Sequence, residues 1–308
     1  MFSRKTWVGV VTGCLGMSAL VCSTGLGATP DSHYKYGVEG VLGATAPPPG
    51  WHYRMYNFWY NPDTYNGNNG NAIGANFELD AFASVQRIVH VTDIKILGAD
   101  YLYDILIPLV DQDFTMGPIS DSHSFTLGDI TLEPFVLGWH LPRWDVTFGL
   151  GVVMPTGHFE GDEPASPGLG YWSGLMTLGA TYYFDEQKTW SASVLTRTLV
   201  NTKQDDTNIT PGSEFIAEYG IGKEFRPNNW MIRPGITGAS YWQISDDSDD
   251  LLPNIVADDH KQAHAIGAEV NFFYLPMLFQ VNLRYLQEYG VENGPEDSRF
   301  IATLTKSF

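Results

Sequence analysis

The run Trp144-Asp145-Val146-Thr147-Phe148-Gly149-Leu150-Gly151-Val152 alternates large apolar residues with small or polar ones. Successive side chains of a strand point to opposite faces, so the run predicts a strand with one apolar and one polar face. The same period sets Phe77, Leu79, Ala81, Ala83 and Val85 against Asn76, Glu78, Asp80, Ser84 and Gln86. It also sets Met277, Phe279, Val281, Leu283 and Tyr285 against Gln280, Asn282, Arg284 and Glu288. From residue 51 onward the pattern predicts about twelve strands, beginning near Trp51, Asn76, Ala99, Phe125, Trp144, Tyr171, Trp190, Glu214, Trp230, Gln262, Met277 and Arg299.

Alternation alone also fits a soluble β-sandwich, and the connections discriminate better. Tight turns are predicted at 140–143, 185–189, 226–229 and 274–276, and long polar loops at 61–75, 111–124, 156–170, 201–213 and 244–261. Short turns at one rim and long loops at the other describe an all-β fold, a transmembrane antiparallel up-and-down β-barrel. The connection 90–98 is longer than this rule predicts. Pro134 and Pro234 fall within predicted strands, so a bulge or a shifted boundary is expected at each. The final run, Arg299 to Phe308, alternates as well, and closure of a barrel leaves it no exposed edge.

Aromatic residues mark both rims. Trp139 and Trp144, Phe184 and Trp190, and Phe225 and Trp230 flank short turns, and Phe308 joins them; Trp59, Tyr60, Tyr171, Trp172, Tyr241, Trp242 and Tyr289 stand where strands meet long loops. Amphipathic rings favour the headgroup level of a bilayer. Trp139, Trp144, Trp190, Trp230 and Phe308 are therefore expected in one membrane girdle.

The amino end changes the picture of the compartment. Arg4 and Lys5 precede an uncharged stretch that closes on Leu26-Gly27-Ala28, the order of a secretory signal, so residues 1–28 are read as a signal peptide. A membrane anchor is the alternative, but Gly and Ser interrupt the stretch. Cys14 and Cys22 both lie in it, so the mature chain would carry no thiol or disulfide chemistry. Loss of Arg4 and Lys5 takes the formal net charge from −18 to −20, which argues against nucleic acid as a partner. No later apolar run approaches the ~20 residues of a spanning helix, so membrane residence requires a barrel, here residues 51–308.

The stretches "GVEGVLGATAPPPGWHYRMYNFWY", "LGDITLEPFVLGWH" and "PTGHF" occur in this order with strands between them. In these the chain resembles the outer-membrane transporter family labelled as putative meta-pathway phenol-degradation proteins, over nearly the whole mature length. The resemblance implies an outer-membrane barrel for uptake of aromatic or other small hydrophobic compounds, with no catalytic set to carry over. The expected setting is the outer membrane of a Gram-negative bacterium. The expected partners are its lipid and lipopolysaccharide, the barrel-assembly machinery and the solute, with no cofactor.

Candidate chemistry is sparse. The Gly37, Gly40 and Gly43 spacing lacks the Lys-Ser/Thr pair of a phosphate loop. The Pro- and Gly-rich segment 29–50 is instead expected to plug the barrel mouth, with a disordered tail as the alternative. His260 and His264, if on a strand, stand roughly 13 Å apart, too far for one ion. Asp246, Asp247, Asp249 and Asp250 lack the order of a calcium loop. The inward face is predicted to carry Glu78, Asp80, Asp100, Asp104, Asp129, Glu133, Asp145, Glu214, Glu218 and Glu269, with Arg197, Arg233, Arg284 and Arg299 as counter-charges. Such a lumen repels anions and passes neutral or cationic solutes, unless Arg-carboxylate crosslinks fill it. Ser240 and His264 share the outward parity of adjacent strands, which leaves a phospholipase-like enzyme as an alternative.

Overall fold

The computed structural model describes residues 32–74, 76–249 and 260–308. The signal-peptide reading of residues 1–28 lies outside the described residues.

Thirteen strands are numbered here: β1 Gly50–Tyr60, β2 Phe77–Ile96, β3 Ala99–Met116, β4 Ile119–Leu127, β5 Ile130–His140, β6 Trp144–Met154 and β7 Ser173–Tyr183. The remainder are β8 Trp190–Asn201, β9 Glu214–Lys223, β10 Trp230–Gln243, β11 Gln262–Tyr274, β12 Phe279–Glu292 and β13 Ser298–Ser307. Each pairs antiparallel with its neighbours, and β13 pairs with β1 from His52–Ser307 to Tyr60–Arg299, which closes the sheet. β4 and β5 both pair with β3, β4 along Leu109 to Met116 and β5 along Asp100 to Leu106, so they form one stave broken at Gly128-Asp129. The result is a closed, twelve-stave barrel.

Its polarity is inverted relative to a soluble barrel. Leu150, Leu178, Val194, Ile236, Ile266, Tyr285 and Phe300 are exposed on the outside, while Asp104, Glu133, Arg197, Glu218, Glu269, Arg284 and Arg299 are buried inside. This division is what a hydrocarbon surround selects, because lipid contact disfavours charge and the enclosed face must carry it. The predicted alternation in β6 holds: Leu150 is exposed, whereas Asp145 is buried and Thr147 bonds to the chain inside.

Three expectations change, and one of the two made for proline holds. The predicted loop 111–124 is a hairpin: β3 runs on to Met116, turns at Gly117 and returns as β4. At ~3.3 Å per residue, β2 and β3, of 20 and 18 residues, exceed the ~30 Å hydrocarbon core, so their outer ends and the β3–β4 hairpin project past the outer rim. The long connection at 90–98 is strand to Ile96, with a register shift between Val91 and Lys95 and a tight turn at Leu97-Gly98. Pro134 does coincide with a register shift, between Leu132 and Phe135. Pro234 does not: its pairing with Val270 is regular, and it lies where the β9 ladder lapses between Gly222–Gly235 and the isolated Phe225–Ile232 bridge. Proline has no N–H to donate at that rung.

Candidate functional site

Residues 32–49 run through the barrel from the long-loop rim to the short-turn rim. At the first rim, Ser32 bonds to Glu214, and His33 contacts Ser173 Oγ at 2.7 Å and Asp129 Oδ2 at 2.9 Å. Midway, the Tyr34 hydroxyl donates to Glu218 Oε2 at 2.6 Å, and the amides of Gly37 and Glu39 donate to Glu218 Oε1 at 2.6 and 3.1 Å. The Val41 amide then donates to Glu269 Oε1 at 3.1 Å. Towards the second rim, Thr147 donates to the Ala44 carbonyl at 2.8 Å and Thr45 to Thr181 at 3.1 Å. A segment without secondary structure must satisfy its backbone elsewhere, and the wall carboxylates serve that need.

Two local features admit the chain. A Cβ on Gly40 would stand 1.7 Å from Glu269 Oε2 and 2.4 Å from Arg284 Nη2, so any larger residue must displace this buried ion pair. Opposite Val41 the wall is itself glycine: a Cβ at Gly222 or Gly235 would lie 2.7 or 2.5 Å from the Val41 methyls. The glycine spacing that failed as a phosphate loop is therefore explained at Gly40 by close passage between wall side chains.

The charges occur in linked groups. Arg87 donates to Glu39 at 3.1 Å, Asp104 at 2.7 Å and Glu133 at 2.9 Å, while Arg54 reaches Glu39 at 3.2 Å. Arg197 pairs with Glu218 at 3.4 Å and Arg284 with Glu269 at 3.1 Å. Arg299 pairs with Glu288 and lies 3.8 Å above the Tyr36 ring, and Arg233 pairs with Glu224. Asp145 sits beside His140 at 3.1 Å and Lys188 at 3.4 Å, and Asp100 pairs with Lys95. Beside residues 38–43 is a cavity of about 60 Å³, lined in part by Arg54, Tyr56, Glu269 and Arg284.

The sequence-predicted residues Asp100, Asp104, Asp129, Glu133, Asp145, Arg197, Glu214, Glu218, Arg233, Glu269, Arg284 and Arg299 thus share the inner face. Glu78 and Asp80 do not. In β2 the unbroken pairing from Phe77 to Val91 puts them on the parity opposite Arg87, and they are exposed on the outside; Asn61 donates to Asp80 at 2.5 Å. The inward carboxylates outnumber the arginines, as expected, but each is engaged by a cation or by residues 32–49. Sequence reasoning missed Glu39, Arg54, Arg87, Glu224 and Glu288 as members of this network. The available signal was Arg87 itself, since a mid-strand charge in a membrane barrel must face inward.

At the rims, Trp144, Trp190, Trp230 and Phe308 are exposed on the outside, and Trp139 donates its indole N–H to the Leu97 carbonyl at 3.1 Å. At the other rim Trp59, Trp172 and Tyr289 are exposed, but Tyr60, Tyr171 and Tyr241 are buried inside. Neighbouring residues of an extended chain point to opposite faces, so each adjacent aromatic pair splits between exterior and interior.

Ser240 and His264 are directly opposed on β10 and β11, with Oγ 3.0 Å from Nδ1. Trp242 and Tyr289 pack on the imidazole, and among the described residues no carboxylate bonds to its other nitrogen. His260 instead contacts Asp246 at 2.6 Å, so the two histidines of the 260–264 pair have separate partners.

Among solved structures, an outer membrane channel from Pseudomonas putida F1 is similar over 90% of this chain and 100% of its own, with 17% identity and a TM-score of 0.74. The β domain of the Bordetella autotransporter BrkA is similar over 84% of this chain and 100% of its own, with 11% identity and a TM-score of 0.55. Both likenesses concern the fold. A comparison with curated proteins finds no match. Residues 62–304 match the family described as "Putative MetA-pathway of phenol degradation", and the chain belongs to that family.

Proposed function

We propose that the protein is a passive outer-membrane channel for small hydrophobic or aromatic compounds, and that residues 32–49 are a plug that must shift before solute passes. The observation that carries the reading is the course of this segment through the whole lumen, held by side-chain acceptors of the wall. The cavity of about 60 Å³ beside it is smaller than the ~150 Å³ that admits a benzene ring in an engineered protein core. Passage of an aromatic solute therefore requires displacement of the plug. The exterior fits residence in outer-membrane lipid with lipopolysaccharide, after signal-peptide removal and delivery by the barrel-assembly machinery.

No chemical step and no cofactor belong to this reading. On the wall itself Asp104 and Glu133 share the guanidinium of Arg87, and Asp100, Asp129, Asp145 and Glu214 add further carboxylates, so an opened lumen keeps a negative bias and prefers cations to anions among charged solutes. The test compares uptake of labelled toluene or phenol by a deletion strain carrying the intact chain, the chain lacking residues 32–49, or none. Faster uptake through the shortened chain than through the intact one supports the plug. Equal uptake in all three strains overturns the channel.

A further inference from the structure

Outside the lumen, three ligand-type side chains meet at the outer rim. His123 stands on β4, in the hairpin that projects past the barrel, and His158 and Glu163 belong to the loop 155–172. Glu163 Oε2 is 2.8 Å from His158 Nε2 and 3.3 Å from His123 Nε2, and the ligand atoms of the three residues all lie within 4.8 Å of one another. In a tetrahedral site with bonds of ~2.0–2.1 Å, neighbouring ligand atoms are separated by about 3.4 Å, so the cluster is close to a coordinating arrangement.

A second observation concerns His123 alone. Its Nε2 is shut off from solvent and has no hydrogen-bond partner, although it faces Glu163. A buried polar nitrogen left in this way is costly, and a cation between the three side chains removes the cost. Asp121 Oδ2, 3.9 Å from His123 Nε2, is occupied by the Ala165 amide at 2.9 Å. Gln112 donates to the Ala165 carbonyl at 2.6 Å. These bonds hold the loop against the hairpin independently of any ion, so the ligand set is preorganised. His158 is exposed, which gives an ion access from solvent.

We propose that His123, His158 and Glu163 bind a divalent transition-metal ion of the zinc class and that the ion clamps the loop 155–172 to the β3–β4 hairpin over the barrel mouth. Two imidazoles and one carboxylate suit zinc, with water in the fourth position, and exclude calcium and magnesium, which prefer oxygen ligands. The clamp has a structural reach beyond the loop. Asp129 accepts the amides of Gly157 at 2.9 Å and Leu169 at 2.7 Å, and its Oδ2 also meets His33 of the luminal segment. The inference does not depend on the transport reading, because binding is measured directly.

The experiment titrates the full, folded chain in detergent micelles with Zn²⁺ alone by calorimetry, and with Co²⁺ by visible absorption. The expected result is one site per barrel, the absorption of a tetrahedral cobalt centre and no competition from Ca²⁺ or Mg²⁺. Substitution even beyond the ligand shell costs ~10–100-fold in affinity, so His158→Ala and Glu163→Gln should each cost more than about 100-fold. His158 and Glu163 are loop residues, so circular dichroism of these variants should match the parent. His123→Ala should behave alike, and His260→Ala should bind as the parent does. Absence of a zinc site, or zinc binding that survives His158→Ala or Glu163→Gln, overturns the proposal.

Discussion

Glu218 Oε1 accepts the backbone N–H of Gly37 at 2.6 Å, a bond between residues 181 positions apart. The same carboxylate takes the Glu39 amide and the Tyr34 hydroxyl, so one wall residue holds the luminal segment at three points. Glu218→Ala strands these donors and leaves Arg197 without its carboxylate. A loss of about 2 kcal/mol from the seated state raises the displaced population roughly 30-fold. Planar-bilayer recordings should show a higher open fraction than in the parent; an unchanged open fraction refutes the role of Glu218 as a fastening.

Gly40 tests the same seat sterically. Gly40→Leu puts a side chain into the Glu269–Arg284 pair, which must break or expel the segment. Gly174→Ala is the matched control, since its Cβ meets nothing nearer than the Val200 carbonyl at 3.9 Å. Accessibility of a cysteine placed at Val41 to a small maleimide should rise with Gly40→Leu and stay at parent level with Gly174→Ala.

The barrel was legible because hydrocarbon outside and charge inside impose a period of two, and because turns and loops alternate in length. β6 displays this plainly, with Phe148 and Leu150 against Asp145 and Thr147. β2 was not legible. One of its faces carries Ala81 and Ala83, the other Ser84 and Gln86, and neither is distinctly lipid-like, so the register assigned to Glu78 and Asp80 was reversed. The β3–β4 hairpin was hidden for a related reason: above the bilayer both faces of a strand meet water, so 111–124 read as loop. The candidate site was legible as a list of inward charges but not as pairs, because Glu39 meets Arg54 and Arg87 only through the path of residues 32–49. The meeting of His123 with His158 and Glu163 likewise depends on how the loop 155–172 lies against the hairpin.

Ser240→Ala addresses the enzymatic alternative. Ser-His hydrolysis needs an oriented imidazole, and His264 is braced by aromatic rings, with no carboxylate bonded to it among the described residues. Purified parent protein in mixed phospholipid micelles should release no fatty acid above the background of the Ser240→Ala variant. Release that the variant abolishes would establish an esterase and displace the solely conductive reading.

Asp185 gives the short turn 184–189 a pH response. Its carboxylate accepts the Trp190 amide at 2.7 Å, then the Thr189 hydroxyl at 2.8 Å and amide at 2.9 Å, and these bonds hold its pKa below the usual carboxylate value. A depressed pKa means stabilisation that is complete above the unfolded value of about 3.9 and lost as pH falls through the folded one. Hydrogen exchange at the Trp190 amide, corrected for the intrinsic rate, should show constant protection from neutrality to about pH 5 and a fall only below about pH 4. In Asp185→Asn that fall should disappear, since the substituted group does not titrate.

Phe148 and Thr147 are consecutive in β6 and meet opposite surroundings. Phe148 lies on the outward parity with exposed Leu150, and Thr147 donates inward to the Ala44 carbonyl at 2.8 Å. An arginine at the lipid face near mid-membrane costs ~2–4 kcal/mol, so Phe148→Arg should lower the folding free energy in lipid vesicles by that amount. Thr147→Arg places its charge in the lumen, where Asp145 and Glu133 already sit on the same face, so folding should fall much less. Its cost should appear instead at the luminal segment: removal of the Ala44 bond and the bulk of arginine press on residues 44–46, and conductance should rise. Urea titrations of both variants in vesicles, with bilayer recordings of Thr147→Arg, separate the two effects. If Thr147→Arg were the variant that failed to fold, the inward and outward faces of β6 would be interchanged.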